Sequence, residues 1–274
     1  MGPYFLRITV DLNLAGKRAL VTGSTSGIGS AAADLLAAEG ADVVIHGRDR
    51  DRAEAVADKI RGHNRRVDIA VGDLSTDAGA AEVVRAATAG GDVDILVNNA
   101  GGTNLVPWSD TTPELWSKAY QVNVVSAVRM IRAFVPGMRE RRWGRVIQIG
   151  GGLAMQPMPV QPQYSATLAA RHNLAVSLAR DLKGSGVTSN VVSPGPIRVE
   201  HVREWLLEVG PAQGWGSELS EIEAKASESW APNDIGRFGT VEEVAGAVAY
   251  LAGSLADFIN GTVVRVDGGH VVSV

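Results

Sequence analysis

Short runs of apolar residues recur along the chain, separated by longer segments with helical periodicity. The runs are apolar throughout instead of alternating with polar residues, which is typical of β-strands buried on both faces. In the intervening segments the apolar residues repeat at the spacing of an amphipathic helix. The predicted strands are Ala19–Thr22, Val43–His46, Val67–Val71, Ile95–Asn98, Val146–Ile149, Ser189–Val192 and Val263–Val266. The predicted helices are Ile28–Glu39, Arg50–Arg61, Ala78–Ala89, Pro113–Arg139, Gln163–Leu182 and Val241–Ala252.

This alternation of strands and helices predicts the fold class. Strand, helix and strand repeated in this way form an α/β fold, a doubly wound (Rossmann-type) parallel sheet with helices on both faces. Because no linker or internal repeat is visible, residues 1–274 are interpreted as one domain. The stretch Arg198–Gly236 breaks the rhythm, since it holds Trp205, Trp215 and Trp230 but no predicted strand. It is interpreted as a lid insertion whose tryptophans either line an apolar pocket or pack the lid onto the core.

Composition and charge narrow the classes of function. The chain has 274 residues, of which 45% are hydrophobic and 20% charged, so it can bury a large core. A formal net charge of −4 gives no electrostatic reason to expect a nucleic acid or an anionic membrane as partner. The absence of cysteine excludes disulfides and thiolate metal sites and fits a reducing compartment. Because neither a signal peptide nor a membrane-spanning run is visible, we expect a soluble, cytoplasmic protein that acts on a small molecule.

A glycine-rich motif joins the first predicted strand to the first predicted helix. Its residues are Thr22, Gly23, Ser24, Thr25, Ser26, Gly27, Ile28 and Gly29. The glycines permit a tight turn and the close approach of a pyrophosphate, to which the helix N-terminus offers N–H donors and a positive dipole end. The spacing TGxxxGxG differs from the GxGxxG of other dinucleotide folds. A simple turn is the alternative, but the position between a strand and a helix favours dinucleotide binding.

Further motifs, in a fixed order, connect the chain with a known family. They are Asn98-Asn99-Ala100-Gly101, Asn123 in the long predicted helix, Pro194-Gly195-Pro196-Ile197, and Gly261-Thr262 with Asp267-Gly268-Gly269. Together with the glycine-rich motif, they make nearly the whole chain resemble a short-chain dehydrogenase/reductase of the 3-oxoacyl carrier-protein reductase type.

The resemblance implies which residues surround a nicotinamide dinucleotide. Asp73 and Leu74 are expected to flank the adenine. Asn99, Ala100 and Gly101 are expected to line the ribose side, and Pro194, Gly195 and Ile197 to approach the nicotinamide. The helices Pro113–Arg139 and Gln163–Leu182 resemble those that build the family's oligomers, so a homodimer or homotetramer is expected.

The end of the second predicted strand bears on the choice of cofactor. An NAD-selective site places a carboxylate there for the ribose 2′-hydroxyl, whereas the 2′-phosphate of NADP needs a cation. Gly47 stands at the position of that carboxylate and Arg48 follows it, so the sequence predicts NADP (NADPH). The hydroxyls of Ser24 or Thr25 are candidate additional donors. In the alternative interpretation, Arg48 is a solvated residue that pairs with a neighbouring aspartate.

The catalytic pattern departs from that of the family. By the resemblance, Tyr164 gives or takes the proton on the substrate oxygen, and Asn123 belongs to the same site. The family's serine, thirteen residues before the tyrosine, is replaced by Gly151, and its lysine, four residues after the tyrosine, by Leu168. Val199 stands where members commonly have a threonine. Since an unperturbed tyrosine has a pKa of about 10, it is a poor base near neutral pH but still a possible proton donor.

Three interpretations of function therefore stay open. The chain is an NADP-dependent reductase of a carbonyl or an activated double bond, a non-redox enzyme, or a non-catalytic NADP-binding protein on the same fold. The intact cofactor motifs favour the reductase. Arg171 lies seven residues after Tyr164 on nearly the same helical face, a spacing similar to the Tyr-x6-Lys of enoyl carrier-protein reductases. The ungapped match to the family instead favours a packing or interface role for Arg171 and an ordinary helix position for His172.

Overall fold

Seven parallel strands form one sheet in the part of the chain that the structure describes. The computed structural model describes residues 11–102 and 105–272, so the first ten residues, on which part of the signal-peptide expectation rests, lie outside it. The strands are β1 (Arg18–Val21), β2 (Asp42–Gly47), β3 (Val67–Val71), β4 (Ile95–Asn98), β5 (Gly144–Ile149), β6 (Val187–Pro194) and β7 (Val263–Val266). Their order is β3-β2-β1-β4-β5-β6-β7. This arrangement confirms the doubly wound α/β fold.

Helices cover both faces of this sheet. They are α1 (Gly27–Ala38), α2 (Arg50–Ile60), α3 (Asp77–Thr88), α4 (Pro113–Tyr120), α5 (Ser126–Glu140), α6 (Pro162–Asp181), α7 (Glu200–Val209), α8 (Leu219–Ser229) and α9 (Val241–Ala252). On one face, strand residues such as Val21 and Ile147 pack with α1 and α9, and on the other, Leu20 and Val146 pack with α3 and α5. No helix within residues 11–102 and 105–272 is both long and apolar enough to cross a membrane.

The burial of the strands follows their position in the sheet. The inner strands β1, β4, β5 and β6 are buried along their whole length, as their continuously apolar sequences predict. The edge strands β3 and β7 are partly exposed, so the prediction that every run is buried on both faces is wrong for these two. An edge strand has a neighbour on one side only, which leaves part of its surface uncovered.

The long helix predicted over Pro113–Arg139 is interrupted. A π-helical turn, Gln121–Val125, separates α4 from α5, and the helical region extends to Glu140. π-Helical turns are rare and frequently lie at functional sites. This turn carries Asn123, whose side chain is buried.

The stretch Arg198–Gly236 contains α7 and α8, and it forms an apolar cluster of its own. The cluster includes Leu206 and Ile222, and Trp205 packs against Trp230 with ring centroids 4.6 Å apart. Between these tryptophans and Trp215 lies an open groove of about 420 Å³. The tryptophans therefore pack mainly against their own insertion, and they also line a groove within it.

Candidate active site

The order of the strands reverses between β1 and β4, so their carboxyl ends form the crevice where doubly wound sheets bind ligands. Gly23 follows β1 with a φ of 64°, and a Cβ atom placed on it would lie 2.9 Å from the Cα of Ala100. The amide Nδ2 of Asn99 donates to the carbonyl oxygens of Thr22 and Gly23, both at 3.0 Å. The glycine-rich turn and the loop after β4 are thus held tightly together.

The N-terminus of α1 opens on this crevice without a side-chain cap. The N-cap residue Ser26 makes no side-chain capping bond, whereas α2, α3, α4 and α9 are each capped by the side chain of their N-cap residue. A Cβ atom on Gly29 would overlap the Gly23 carbonyl oxygen and Asn99 Nδ2, so a larger residue does not fit there. The first amides of α1, from Gly27 to Gly29, are therefore available to an anionic group such as a pyrophosphate.

His46 fastens the glycine-rich turn to the sheet. Its Nδ1 accepts a hydrogen bond from the backbone N–H of Gly23 (2.8 Å), and its Nε2 lies 3.1 Å from the Gly72 carbonyl oxygen, so Nε2 is the nitrogen that carries the proton. Burial lowers the pKa of His46 from 6.5 to about 4 and keeps the ring neutral. This role of His46 was not predicted. The sequence feature that could have indicated it is a single histidine in an otherwise apolar strand.

The side chain of Ser24 is turned away from the crevice. It is fully buried, and its Oγ accepts a hydrogen bond from the backbone N–H of His46 (2.9 Å). The expectation that the Ser24 hydroxyl reaches a 2′-phosphate is therefore not met, because that hydroxyl holds the turn against β2. Thr25 remains half-buried beside Gly47 and is the better placed of the two hydroxyls.

The end of β2 leaves no room for a carboxylate. A Cβ atom on Gly47 would overlap the Cγ2 methyl of Thr25, so an acidic side chain does not fit there while Thr25 keeps its position. Arg48 is exposed and forms no ion pair with any residue that the structure describes, which disfavours its pairing with a neighbouring aspartate. Hydrogen bonds from Ser75, followed by the charge of Arg48, lower the pKa of Asp73. This corner of the crevice therefore presents the exposed Arg48 and has no carboxylate at position 47.

The residues expected beside the adenine and the nicotinamide present mostly backbone. Asp73 is exposed, but the side chain of Leu74 is buried in the core, which leaves its backbone to face a ligand. Pro194 ends β6, and the Gly195 N–H donates to the Val266 carbonyl oxygen at 3.1 Å. The Ile197 side chain is likewise buried.

Tyr164 lies in the first turn of α6 and is half-buried. Gly151 and Leu168, the two positions at which a serine and a lysine were expected from the resemblance, contact each other: a Cβ atom on Gly151 would lie 2.9 Å from Cδ1 of Leu168. The leucine therefore occupies space that a serine side chain at position 151 would need. The two departures form a matched pair.

Asn123 fixes the loop after β4. Its Oδ1 accepts a hydrogen bond from the Gly102 N–H at 2.8 Å, and its Nδ2 donates to the Gly102 carbonyl oxygen at 3.0 Å. Both ends of the amide are thus engaged with the backbone of one residue. Asn123 positions the loop after β4 by these bonds.

Arg171 lies under the crevice and is only 3% exposed. Its guanidinium donates to four backbone carbonyl oxygens: Nε to Asn123, Nη1 to Ile149 (2.7 Å) and Asn98 (3.3 Å), and Nη2 to Ala100. The interface interpretation of Arg171 is wrong, because its side chain is buried within the protomer among the segments that carry the candidate site. The spacing between Tyr164 and Arg171 was the one sequence feature that pointed to the site. The sequence does not show that four backbone carbonyl oxygens meet around the guanidinium.

Comparison with known proteins identifies the family. The profile of the family described as short chain dehydrogenase matches residues 17–209, more than half of the chain. The chain belongs to this family.

Similar proteins cover almost the entire length of this short-chain dehydrogenase. Uncharacterized oxidoreductase YvrD of Bacillus subtilis (strain 168) is 38% identical over 265 residues, which span 96% of this chain and 100% of that protein. The 3-oxoacyl-[acyl-carrier-protein] reductase of Escherichia coli (strain K12) is 34% identical over 258 residues, 94% of this chain and 98% of that protein. The crystal structure of L-sorbose reductase from Gluconobacter frateurii, complexed with NADPH and L-sorbose, has a TM-score of 0.91 at 31% identity and covers 97% of this chain and 100% of that chain.

The electrostatics of the dehydrogenase site follow from burial. Burial raises the pKa of Tyr164, and the positive charge of Arg171 opposes that rise. Burial also lowers the pKa of Arg171 to about 10, against the opposing effect of Tyr164. Near neutral pH, Tyr164 therefore carries its proton and Arg171 its charge, which suits the tyrosine to donate a proton and not to accept one.

Proposed function

We propose that this chain is an NADP-dependent reductase of a carbonyl group, or of an activated double bond, in a small molecule. The observation that carries the proposal is a glycine-rich turn at the uncapped N-terminus of α1, on the same crevice as a tyrosine that keeps its proton at neutral pH. A related L-sorbose reductase, whose structure contains NADPH, supports the choice of cofactor.

The residues that line the crevice fit the parts of NADPH. In the proposal, the amides of Gly27, Ile28 and Gly29 hold the pyrophosphate after the turn formed by Gly23, Ser24, Thr25 and Ser26. Arg48 and Thr25 bind the 2′-phosphate, and Asp73 and Leu74 flank the adenine. Asn99, Ala100 and Gly101 line the ribose side. Pro194, Gly195 and Ile197 approach the nicotinamide. When bound, NADPH supplies a hydride.

Tyr164 supplies the proton in this proposal. Its Oη donates to the substrate oxygen as that oxygen gains negative charge, and solvent later returns a proton to the phenolate. The family's serine is absent, so the substrate oxygen is oriented with fewer donors. Loss of such acid–base tuning typically costs ~10²–10⁴-fold in rate. We therefore expect slow reduction, and still slower oxidation because desolvation raises the pKa of the Tyr164 phenol.

The surroundings of Tyr164 indicate the polarity of the substrate. In the proposal, Gly151 and Leu168 stand where the family has two polar side chains, and the Leu168 side chain contacts Gly151. These neighbours offer no hydrogen-bonding side chain to groups next to the carbonyl. A substrate with apolar groups on both sides of its carbonyl fits them best, because a polar group would lose its hydrogen bonds to water there.

A test of the function compares NADPH consumption on a panel of dialkyl ketones, aryl ketones, hydroxyketones and enones. We expect turnover of apolar ketones or enones by the unmodified protein, and a loss of at least ~10²-fold in Tyr164→Phe. Tyr250→Phe is the matched control, because Tyr250 is exposed on α9 and should leave turnover unchanged. Tight NADPH binding without turnover of any compound would favour the non-catalytic interpretation, and conversion without NADPH consumption would favour a non-redox enzyme.

The organisation of the whole chain is also part of the proposal. We propose one domain over residues 1–274, in which the 198–236 insertion acts as a lid. We also propose a homodimer or homotetramer assembled through α4, α5 and α6. In support, α4 has no buried residue and presents Tyr120 at the surface. Sedimentation equilibrium of the unmodified protein and of Tyr120→Glu tests the assembly; a monomer under all conditions would contradict it.

A further inference from the structure

Arg171 is a charged side chain that is buried without a carboxylate. The structure shows no acidic partner for it among the described residues, and Tyr164 is the one titratable group that acts on it there. Burying an unpaired charge costs free energy unless hydrogen bonds replace those lost to water. A neutral residue at position 171 would avoid this cost.

The four carbonyl oxygens that hold Arg171 belong to three separate parts of the chain. Asn98 ends β4, Ala100 lies in the loop after it, Asn123 lies in the π-helical turn, and Ile149 ends β5. The planar guanidinium, with donors fixed in a fork, suits such a set of acceptors better than an ammonium would. Arg171 thus joins the ends of β4 and β5 to the π-helical turn.

One N–H of the guanidinium is left over. An arginine has five N–H groups, and four bonds are formed with carbonyl oxygens, one of them from Nη2. Nη2 lies 3.5 Å from the point where a Cβ atom on Gly101 would stand. Gly101 is exposed in the crevice and lines the proposed ribose side, so the remaining donor of Nη2 lies near that side.

We propose that Arg171 is a positioning residue that takes the place of the family's missing lysine, acting from one helical turn further along α6. This inference rests on the proposed function, because it gives the guanidinium a part in proton donation by Tyr164. Its forked donors hold these three parts of the chain in register, and its charge stabilises the phenolate that Tyr164 becomes when its Oη proton moves to the substrate oxygen. The proton that restores the phenol comes from solvent.

The change at position 168 fits this assignment. The family's lysine would stand at Leu168, whose side chain contacts Gly151 and leaves no cation at that point of the helix. Arg171 lies three residues later on the same helix, its charge acts on Tyr164, and long side chains on a helix lean towards the N-terminal end, where Tyr164 lies. Among the residues that the structure describes, Arg171 is the charged group that acts on Tyr164. The tyrosine therefore depends on this one cation.

The experiment measures the ionisation of the phenol directly and needs no substrate. 3,5-Difluorotyrosine is incorporated in place of Tyr164, and its fluorine resonance is titrated with pH in the full chain. We compare Arg171→Gln, which removes the charge but keeps two N–H donors, with Arg171→Lys, which keeps the charge but cannot span four carbonyls. Arg180→Gln is the matched control, because Arg180 is exposed on the same helix.

We expect Arg171→Gln to raise the pKa of the fluorinated phenol by about one unit or more, because an opposite charge nearby favours the ionised form. Arg171→Lys should keep most of the original pKa, and Arg180→Gln should leave it unchanged. Equal shifts in the glutamine and lysine variants, or no shift in either, would overturn the proposal. Should the glutamine variant not fold, Arg171→Met takes its place and should raise the pKa in the same way, whereas unfolding of every variant at this position would make Arg171 a structural anchor and overturn the proposal.

The titration also separates this inference from the proposed function. If the unmodified protein reduces nothing in the ketone panel, the reductase proposal fails, but the fluorine titration still reports whether Arg171 acts on Tyr164. If the protein does reduce ketones, Arg171→Gln should lower kcat more than it raises KM, because phenolate stabilisation is needed only in the transition state.

Discussion

At the scale of single residues, Gly47 and Arg48 carry the choice between the two nicotinamide cofactors. We expect Arg48→Ala to weaken NADPH binding by about 10- to 100-fold, since a charge-assisted hydrogen bond contributes about 1.5–3 kcal/mol. NADH binding should not change, because NADH lacks the 2′-phosphate. Fluorescence titration of both cofactors measures this. Arg50→Ala is the control, as Arg50 is also exposed and makes one weak surface pair; equal affinity of the unmodified protein for both cofactors would contradict the assignment.

The pair Gly151 and Leu168 allows a second prediction. Gly151→Ser alone should gain little, because its new side chain meets Cδ1 of Leu168. Leu168→Lys removes that obstacle and adds a cation near Tyr164, so the double variant should reduce simple ketones faster than the product of the single effects. Initial rates of NADPH oxidation at saturating cofactor measure the four proteins of this cycle.

Tyr164→Phe in the double variant is the control and should abolish the gain. The main opposing effect is the cost of burying a lysine beside Arg171, a second cation in the same region. A double variant that folds and binds NADPH with unchanged affinity but reduces ketones no faster would show that more than these two positions limit the reaction.

Residue types at fixed spacing predicted the backbone turns of the site. The hydrogen bonds of its buried side chains could not be predicted in this way. The glycine-rich turn and the loop at Asn99 were predictable because close backbone approach restricts the residues that fit. The bonds of His46 and Arg171 were not, since each depends on which backbone groups tertiary packing brings within reach. The direction of the Ser24 hydroxyl likewise depends on its partner across the turn, the backbone of His46.

At the scale of secondary-structure elements, hydrophobic periodicity located every sheet strand that the structure describes, to within two residues at each end. Periodicity works here because buried parallel strands and amphipathic helices differ so clearly in pattern. It did not predict the π-helical turn, because Gln121–Val125 continues the helical pattern. That turn carries the Asn123 carbonyl that Arg171 binds, a contact set by α6 and invisible in the local sequence.

The 198–236 insertion allows a third prediction. Its apolar cluster is separate from the two layers on the sheet, and its far end is anchored where the N–H groups of Asp234 and Ile235 donate to the Gly268 carbonyl oxygen. If the insertion closes over bound ligands, α7 and α8 should exchange amide hydrogens faster than β4 to β6 in the free protein and slow down when NADPH and a ketone are added.

Hydrogen exchange with mass spectrometry measures this prediction in the full chain. The peptide around Asp234 and Ile235 serves as the internal control, since its anchoring bonds should protect it in both states. Protection of α7 and α8 that is the same with and without ligands would identify the insertion as fixed structure.

At the scale of the whole molecule, the alternation of elements predicted the doubly wound sheet because parallel strands require crossover helices. The reversal of strand order between β1 and β4 then brings residues from Gly23 to Gly195 to one edge of the sheet. The sequence did not predict which side chains link the ends of these strands by hydrogen bonds. His46 and Arg171 make those ties, each through backbone groups of two or more segments.

The tie made by His46 gives the stability of the whole fold a pH dependence. In the folded protein the pKa of His46 is lowered from 6.5 to about 4, so the unfolded chain binds a proton below pH 6.5 that the folded protein cannot accept until about pH 4. The free energy of unfolding therefore falls as the pH falls through this window, by about 2 kcal/mol between about pH 7.5 and about pH 5. The lowered pKa of His172, caused by burial, acts in the same direction.

Urea unfolding at a series of pH values, followed by circular dichroism, measures this slope. His46→Asn should flatten it, because the amide oxygen can accept the Gly23 N–H bond without titrating. His201→Asn is the matched control, since His201 is exposed and the slope should persist. Carboxylates with lowered pKa, such as Glu243 at about 2, lose their contribution only below about pH 4.5, outside the measured range. An unchanged slope in His46→Asn would show that protonation of His46 does not limit the stability of the fold.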